Sequence, residues 1–208
     1  MIPVKVLAVR HLANAAGSLC EALGVPASHR SLAMLTTDCD DATYIALDEA
    51  TKAADVQVCY SRSFYAGAGN ASTPYAGEVI GILSGATPGT VRSGMEAALA
   101  ALNHIGFEEV GGVPYLAHTV SRSGAYLSGE AGVPEGTPLA YLIAPPLESM
   151  YALDRALKAA DVKLCKLYSP PSETNFGGGL LSGTRSACQA ACSAFAQAVT
   201  EVATRPKE

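Results

Sequence analysis

One feature constrains this chain more than any other: it carries the same segment twice. Leu47 to Cys59 reads LDEATKAADVQVC, and Leu153 to Cys165 reads LDRALKAADVKLC. Asp48 and Asp154 lie 106 positions apart, and the match runs outward from them. Gly24-Val25-Pro26 faces Gly132-Val133-Pro134, and Ser31-Leu-Ala-Met-Leu faces Pro138-Leu-Ala-Tyr-Leu. Ile82 to Gly85 faces Leu180 to Gly183 at the smaller offset of 98, so the second copy is eight residues shorter between Cys165 and Leu180. Length changes of this kind belong in loops, where closure entropy grows slowly with length. The chain therefore reads as two domains, 1–107 and 108–208, with the junction near Gly106 to Val113, where Gly111-Gly112 marks a break. Two copies do not make a solenoid, but they do suggest a symmetric assembly.

Composition narrows the possibilities. Charged residues are 16% of the 208 and mean hydropathy is +0.22, which is apolar for a chain with no run near the ~20 apolar residues of a membrane span. The reading favoured here is that part of this apolar surface is covered by other subunits. A net charge of −5, no basic patch and no Trp argue against nucleic acid and against an anionic membrane. The opening MIPVKVLAVRHLAN lacks the charged start and cleavage site of a signal peptide. The six cysteines, at 20, 39, 59, 165, 188 and 192, are expected to be free thiols in a reducing cytoplasm. Cys188 and Cys192 stand i, i+4 on a helix, half of a metal site that no CxxC or His pair completes, so packing is the better reading. No catalytic set shows at diagnostic spacing, no G-x-S-x-G occurs, and neither cofactor nor enzymatic activity is expected.

The pattern predicts strands at Val4–Val9, Ser31–Thr36, Val56–Tyr60 and Glu78–Leu83. Helices are expected from about Ala42 to Ala54 and from Thr90 to Leu102, and Ser61 to Ala76 is loop. Asp38-Cys39-Asp40-Asp41 offers N-cap oxygens and complements the dipole of the first helix. The second copy repeats the plan. Strands are expected at Tyr115–Val120, Leu139–Ile143, Val162–Tyr168 and Gly179–Ser182, and helices at Ser149–Ala160 and Arg185–Ala203. Each unit is then a small sheet with two helices on one face, an α+β layer.

In this order the residues resemble the bacterial microcompartment shell domain, in its circularly permuted tandem class and its ethanolamine-utilisation branch. The stretches carrying the resemblance are DCDDATYIALDEATKAADV from Asp38, YAGAGNAS from Tyr65, AGEVIGIL from Ala76, VSRSGAYLS from Val120, AYLIAPPLE from Ala140 and PPSETNF from Pro170. The junction GFEEVGG near Phe107 is compressed relative to that pattern. The resemblance implies an α/β sandwich with a mainly antiparallel sheet in each domain. It implies a homotrimer imitating a hexamer, packed with other microcompartment shell proteins into the wall of a cytoplasmic microcompartment. In that family the lysine of the KAA motif lies at the tile edge, which falls on Lys52 and Lys158.

The resemblance also places a small-metabolite site. Acidic residues at the positions of Asp40, Asp41 and Glu78 line a small opening within each subunit and bind ethanolamine, with an aromatic at the position of Phe107. A small ammonium alcohol suits carboxylates for its charge and a ring face for cation–π contact, although from the residues alone helix capping is the favoured reading of Asp40 and Asp41. The loops holding Tyr65, Gly67, Gly69 and Asn70, and Thr174, Asn175, Phe176 and Gly177, are implied to meet on the threefold axis as a gated central pore. The competing reading is a soluble protein that binds or senses an ethanolamine-like cation.

Overall fold

The computed structural model describes residues 1–63, 79–170, 172 and 174–207. These form two compact units. The N-terminal unit comprises Pro3–Gly106 together with Gly124–Leu127, and the C-terminal unit comprises Met1–Ile2, Phe107–Ser123 and Ser128–Glu208.

In the N-terminal unit the elements run β1 (Val6–Leu12), α1 (Gly17–Ala22), β2 (Ser31–Thr37), α2 (Asp40–Ala53), β3 (Val56–Ser63), β4 (Val79–Gly85) and α3 (Pro88–Ala101). The four strands pair antiparallel in the order β1-β2-β4-β3. The central strands are the most apolar, and α2 and α3 cover them, burying Leu32, Leu35, Ile45, Leu47, Leu83, Val91 and Met95. Each such side chain contributes about 1.5–3 kcal/mol. Thr87 caps α3 by accepting from the Thr90 amide at 3.2 Å, with Pro88 in the first turn.

The C-terminal unit holds β5 (Glu108–Val110), β6 (Val113–Val120), most of α4 (Ala125–Ala131), β7 (Leu139–Ala144), α5 (Pro146–Ala159), β8 (Val162–Tyr168), β9 (Gly177–Gly183) and α6 (Arg185–Thr204). The sheet order is β5-β6-β7-β9-β8. Without β5 it is the order of the first sheet, so the repeat is one of topology as well as sequence. Leu142, Leu153, Leu181, Cys188, Cys192, Phe195 and Val199 form one buried cluster beneath α5 and α6. The repeated cysteine has the same place in both copies. The pairing of β3 with β4 slips between Val58 and Tyr60, and that of β8 with β9 between Leu164 and Lys166, so Cys59 and Cys165 each sit at the irregularity.

The mixed α+β architecture of paired antiparallel sheets is as expected, and four local readings are corrected. Gly111-Gly112 is a hairpin turn, not a break. Both glycines have positive φ (57° and 81°) and they join β5 to β6 across the Val110–Val113 pair. The Asp38–Asp41 run does not cap α2. The N-cap is Cys39, with no side-chain cap bond, and the helix starts at Asp40 rather than Ala42. α5 starts at Pro146, ahead of the expected Ser149. Finally α1 and α4, of six and seven residues, are too short to show a helical period in sequence.

Candidate functional site

The start of α2 is built from the end of β2. The Thr37 hydroxyl accepts from the Cys39 amide at 3.1 Å and lies 2.7 Å from the Thr43 hydroxyl, which donates to the Cys39 carbonyl at 2.8 Å. These hydroxyls tie the turn, leaving the aspartates to other partners. Asp38 accepts from the Lys5 amide at 2.7 Å. Asp40 accepts from the Asp41 amide through Oδ1 at 2.8 Å and from the Ser63 hydroxyl, at the end of β3, through Oδ2 at 2.6 Å. Asp41 is buried. Both carboxylates lie in the first helical turn, where the helix dipole favours negative charge. The Cys39 thiol registers the local field. Burial pushes its pKa far up, and Asp41, Asp40 and Asp38 add to the rise, so it stays protonated. Burial and the three nearby carboxylates together disfavour a negative charge on this thiol.

The other expected residues fall in three groups. Glu78, Tyr65, Gly67, Gly69 and Asn70 lie outside the described residues. Phe107 belongs to the C-terminal unit, where its ring meets Phe176 edge-on at 5.6 Å and its carbonyl accepts from the Ile2 amide at 2.6 Å. Thr174, Phe176 and Gly177 are part of a turn closed on itself. The Ser172 hydroxyl accepts from the Thr174 amide at 3.3 Å, the Thr174 hydroxyl from the Phe176 amide at 3.4 Å, and the Phe176 carbonyl from the Ser172 amide at 3.0 Å. Gly177 opens β9, and Asn175 completes the turn between Thr174 and Phe176.

The two KAA lysines differ. Lys52 pairs with Asp48 at 3.6 Å and with Glu49, whereas Lys158 is largely exposed and pairs with Asp154 at 2.7 Å. Cys188 and Cys192 are core residues. Burial raises both thiols, that of Cys192 to about 11, and Thr119 donates to the Cys192 sulfur at 3.4 Å. Among the described residues no three His, Cys, Asp or Glu side chains gather as a metal would need.

Ser63 and Asp48 escaped the sequence reading. Ser63 stands 23 positions from Asp40 and only the return of β3 brings it there. Asp48 is fully buried on α2, and its oxygens accept from the amides of Gly124 at 2.7 Å and Leu127 at 2.8 Å, inside the N-terminal unit. Its only signal in the sequence is its recurrence as Asp154.

A duplicated antiparallel α+β unit with a KAADV helix on each sheet defines a tandem shell-domain protein, and residues 31–112 match the family described as the BMC domain. The bacterial microcompartment shell protein EutL of Clostridium perfringens is 56% identical over 99% of this chain and 97% of its own length. The crystal structure of the ethanolamine utilization protein EutL from Leptotrichia buccalis superposes with a TM-score of 0.96 at 58% identity, covering 100% of this chain and 97% of that one. The trimeric bacterial microcompartment shell protein PduB shares the fold at 19% identity and a TM-score of 0.79, over 96% of this chain and 89% of that one. The chain belongs to the EutL family of bacterial microcompartment shell proteins.

Proposed function

We propose that this chain forms a homotrimeric tile in the wall of an ethanolamine-utilisation microcompartment. It is not an enzyme there, and it admits a small ammonium alcohol such as ethanolamine through an acid-lined opening in each subunit. The observation that supports this most is the full-length likeness to EutL proteins in a chain built from two copies of one unit. Three such chains supply six similar units, enough to imitate a hexamer. Lys52 and Lys158 are assigned to the edge where tiles abut. The loops around Tyr65 to Asn70 and Thr174 to Gly177 are assigned to a central gated pore.

The cation site is assigned to Asp40, Asp41 and Glu78. Its support is the carboxylate pair at the start of α2 and the negative field marked by Cys39. The ring of Phe107 is engaged by Phe176, so the assignment rests on the carboxylates. Native mass spectrometry together with calorimetric titration of ethanolamine tests the reading. The expected result is a trimer that binds ethanolamine, with Asp41→Asn weakening binding by about 10- to 100-fold, the loss expected for a charged hydrogen-bond partner worth ~1.5–3 kcal/mol. Equal affinity in the two proteins removes Asp41 from the site. A persistent monomer that still binds ethanolamine favours the sensor reading over the wall.

A further inference from the structure

The repeated cysteine keeps different company in the two copies. In the N-terminal unit Cys59 stands at the bulge of the edge strand β3, and its sulfur lies 3.5 Å from the Ile82 carbonyl on β4. Half-buried, it packs against a cluster made by Ala15, Cys20, Leu32 and Ile82. Cys20 is the buried residue of α1, so the cluster is where that helix meets the sheet. Two thiols 39 positions apart in sequence thus share one apolar contact region.

Ser84 on β4 is fully buried and joins Cys59 to a base. Its hydroxyl lies 3.0 Å from His29 Nδ1 and hydrogen-bonds the Cys59 sulfur. Burial pushes the Cys59 thiol up, the Ser84 hydrogen bond acts against it, and Cys20 adds a smaller rise. The second copy keeps only half of this arrangement. The Cys165 sulfur lies 3.0 Å from the Ser182 hydroxyl at the equivalent bulge. The offset of 108 set by the Gly-Val-Pro pair carries Cys20 onto Ser128, and Gly132 to Leu139 holds no histidine. A hydroxyl cannot close a disulfide, so the second unit is an internal control.

We propose that Cys20 and Cys59 form a redox modification site, a thiol pair that closes to an intramolecular disulfide when hydrogen peroxide reaches it. The more accessible Cys59 gives its proton through the Ser84 hydroxyl to His29, and its thiolate attacks one peroxide oxygen. The O–O bond breaks, Cys59 becomes a sulfenic acid, and the departing hydroxide takes that proton to leave as water. The Cys20 sulfur then attacks the Cys59 sulfur. The S–S bond forms, the S–O bond breaks, and hydroxide leaves as water with the Cys20 proton. Two thiols lose two electrons and two protons, and one peroxide becomes two waters. Exchange with a thiol such as glutathione reverses the step. The bond fastens α1 to β3. That helix has six residues and no side-chain cap, too short to stand on its own propensity, so packing alone holds it until the tie forms.

Peroxide treatment of the full-length chain, followed by denaturation in iodoacetamide and peptide mass mapping, tests this. Wild type is expected to yield a peptide linking Cys20 to Cys59, lost on treatment with dithiothreitol, while Cys165 remains alkylated. Cys20→Ala and Cys59→Ala are each expected to abolish the link. His29→Gln is expected to slow its formation on the order of 100-fold, the contribution of a positioned base. Oxidised wild type is expected to melt at a higher temperature than reduced wild type, whereas peroxide leaves the midpoint of Cys20→Ala unchanged. Sulfenic or sulfinic acid on Cys59 beside an alkylated Cys20 overturns the pairing, and so does a link made through Cys165. Thiols that all remain alkylated after peroxide overturn the site. A wild-type rate in His29→Gln overturns the proton relay. The wild-type map decides the pairing even where a variant folds poorly.

Discussion

Asp48 and Asp154 show what position does to one side chain. The residues are identical and so is the Lys four places on, yet Asp48 is fully buried beneath two amides while Asp154 lies open beside Lys158. Removing a buried, charge-assisted acceptor leaves two amides unpaired, so Asp48→Ala is expected to lower unfolding free energy by about 2–4 kcal/mol, read by thermal or urea unfolding. Asp154→Ala in the isolated chain is expected to cost under ~1 kcal/mol, as for other exposed ion pairs. The pH dependence of Asp48 follows from its raised pKa. Burial raises it, the Leu127 and Gly124 amides and then Lys52 act downward, and Glu49 adds a smaller rise. A carboxyl that holds its proton more readily folded than unfolded stabilises most below its ordinary pKa. That contribution is lost as pH rises through the raised value. The stability of wild type relative to Asp48→Asn should therefore decline as pH rises from about 4 toward neutrality.

At the level of elements, turns and caps decide where the repeated helices and strands begin. The hydroxyls of Thr37 and Thr43 close the start of α2, while Asp40 is held by the Asp41 amide and the Ser63 hydroxyl. The β5–β6 hairpin depends on two consecutive left-handed residues, Gly111 and Gly112. Left-handed backbone costs roughly 1–2 kcal/mol for a residue with a side chain. Gly111→Ala with Gly112→Ala is accordingly expected to destabilise the protein by about 2–4 kcal/mol, seen as a lower urea midpoint. Among the described residues β5 has no counterpart in the first sheet. Faster amide exchange at Val110 and Val113, the pair that closes the hairpin, is expected to accompany the loss.

For the whole molecule, duplication allows two equivalent positions to diverge while the fold stays common. The first copy carries Asp40 and Asp41 at the start of its helix, where the second has Pro146 and the exposed Leu147. One copy can thus hold a charged site while the other presents an apolar face. Raising ionic strength to about 1 M, where the screening length is near 3 Å, is expected to weaken any association made through the exposed Lys158, read by sedimentation velocity.

The repeat, read alone, was enough to show that the chain makes two matching α+β units, while the strand order within each sheet came from the fold. Apolar alternation marks the strands, the KAADV run marks the end of each helix, and two matching sets of elements must make two matching units. It also placed Asp40 and Asp41 at the start of a helix, because acidic residues ahead of an apolar period are a local signal. Tertiary structure alone decided which of two identical aspartates is buried. The amides that hold Asp48 lie 76 and 79 positions away, and Ser63 reaches Asp40 from 23. No local pattern records such pairs. Hydrophobic period reports which face of an element is covered, whereas only the path of the folded chain determines what covers it.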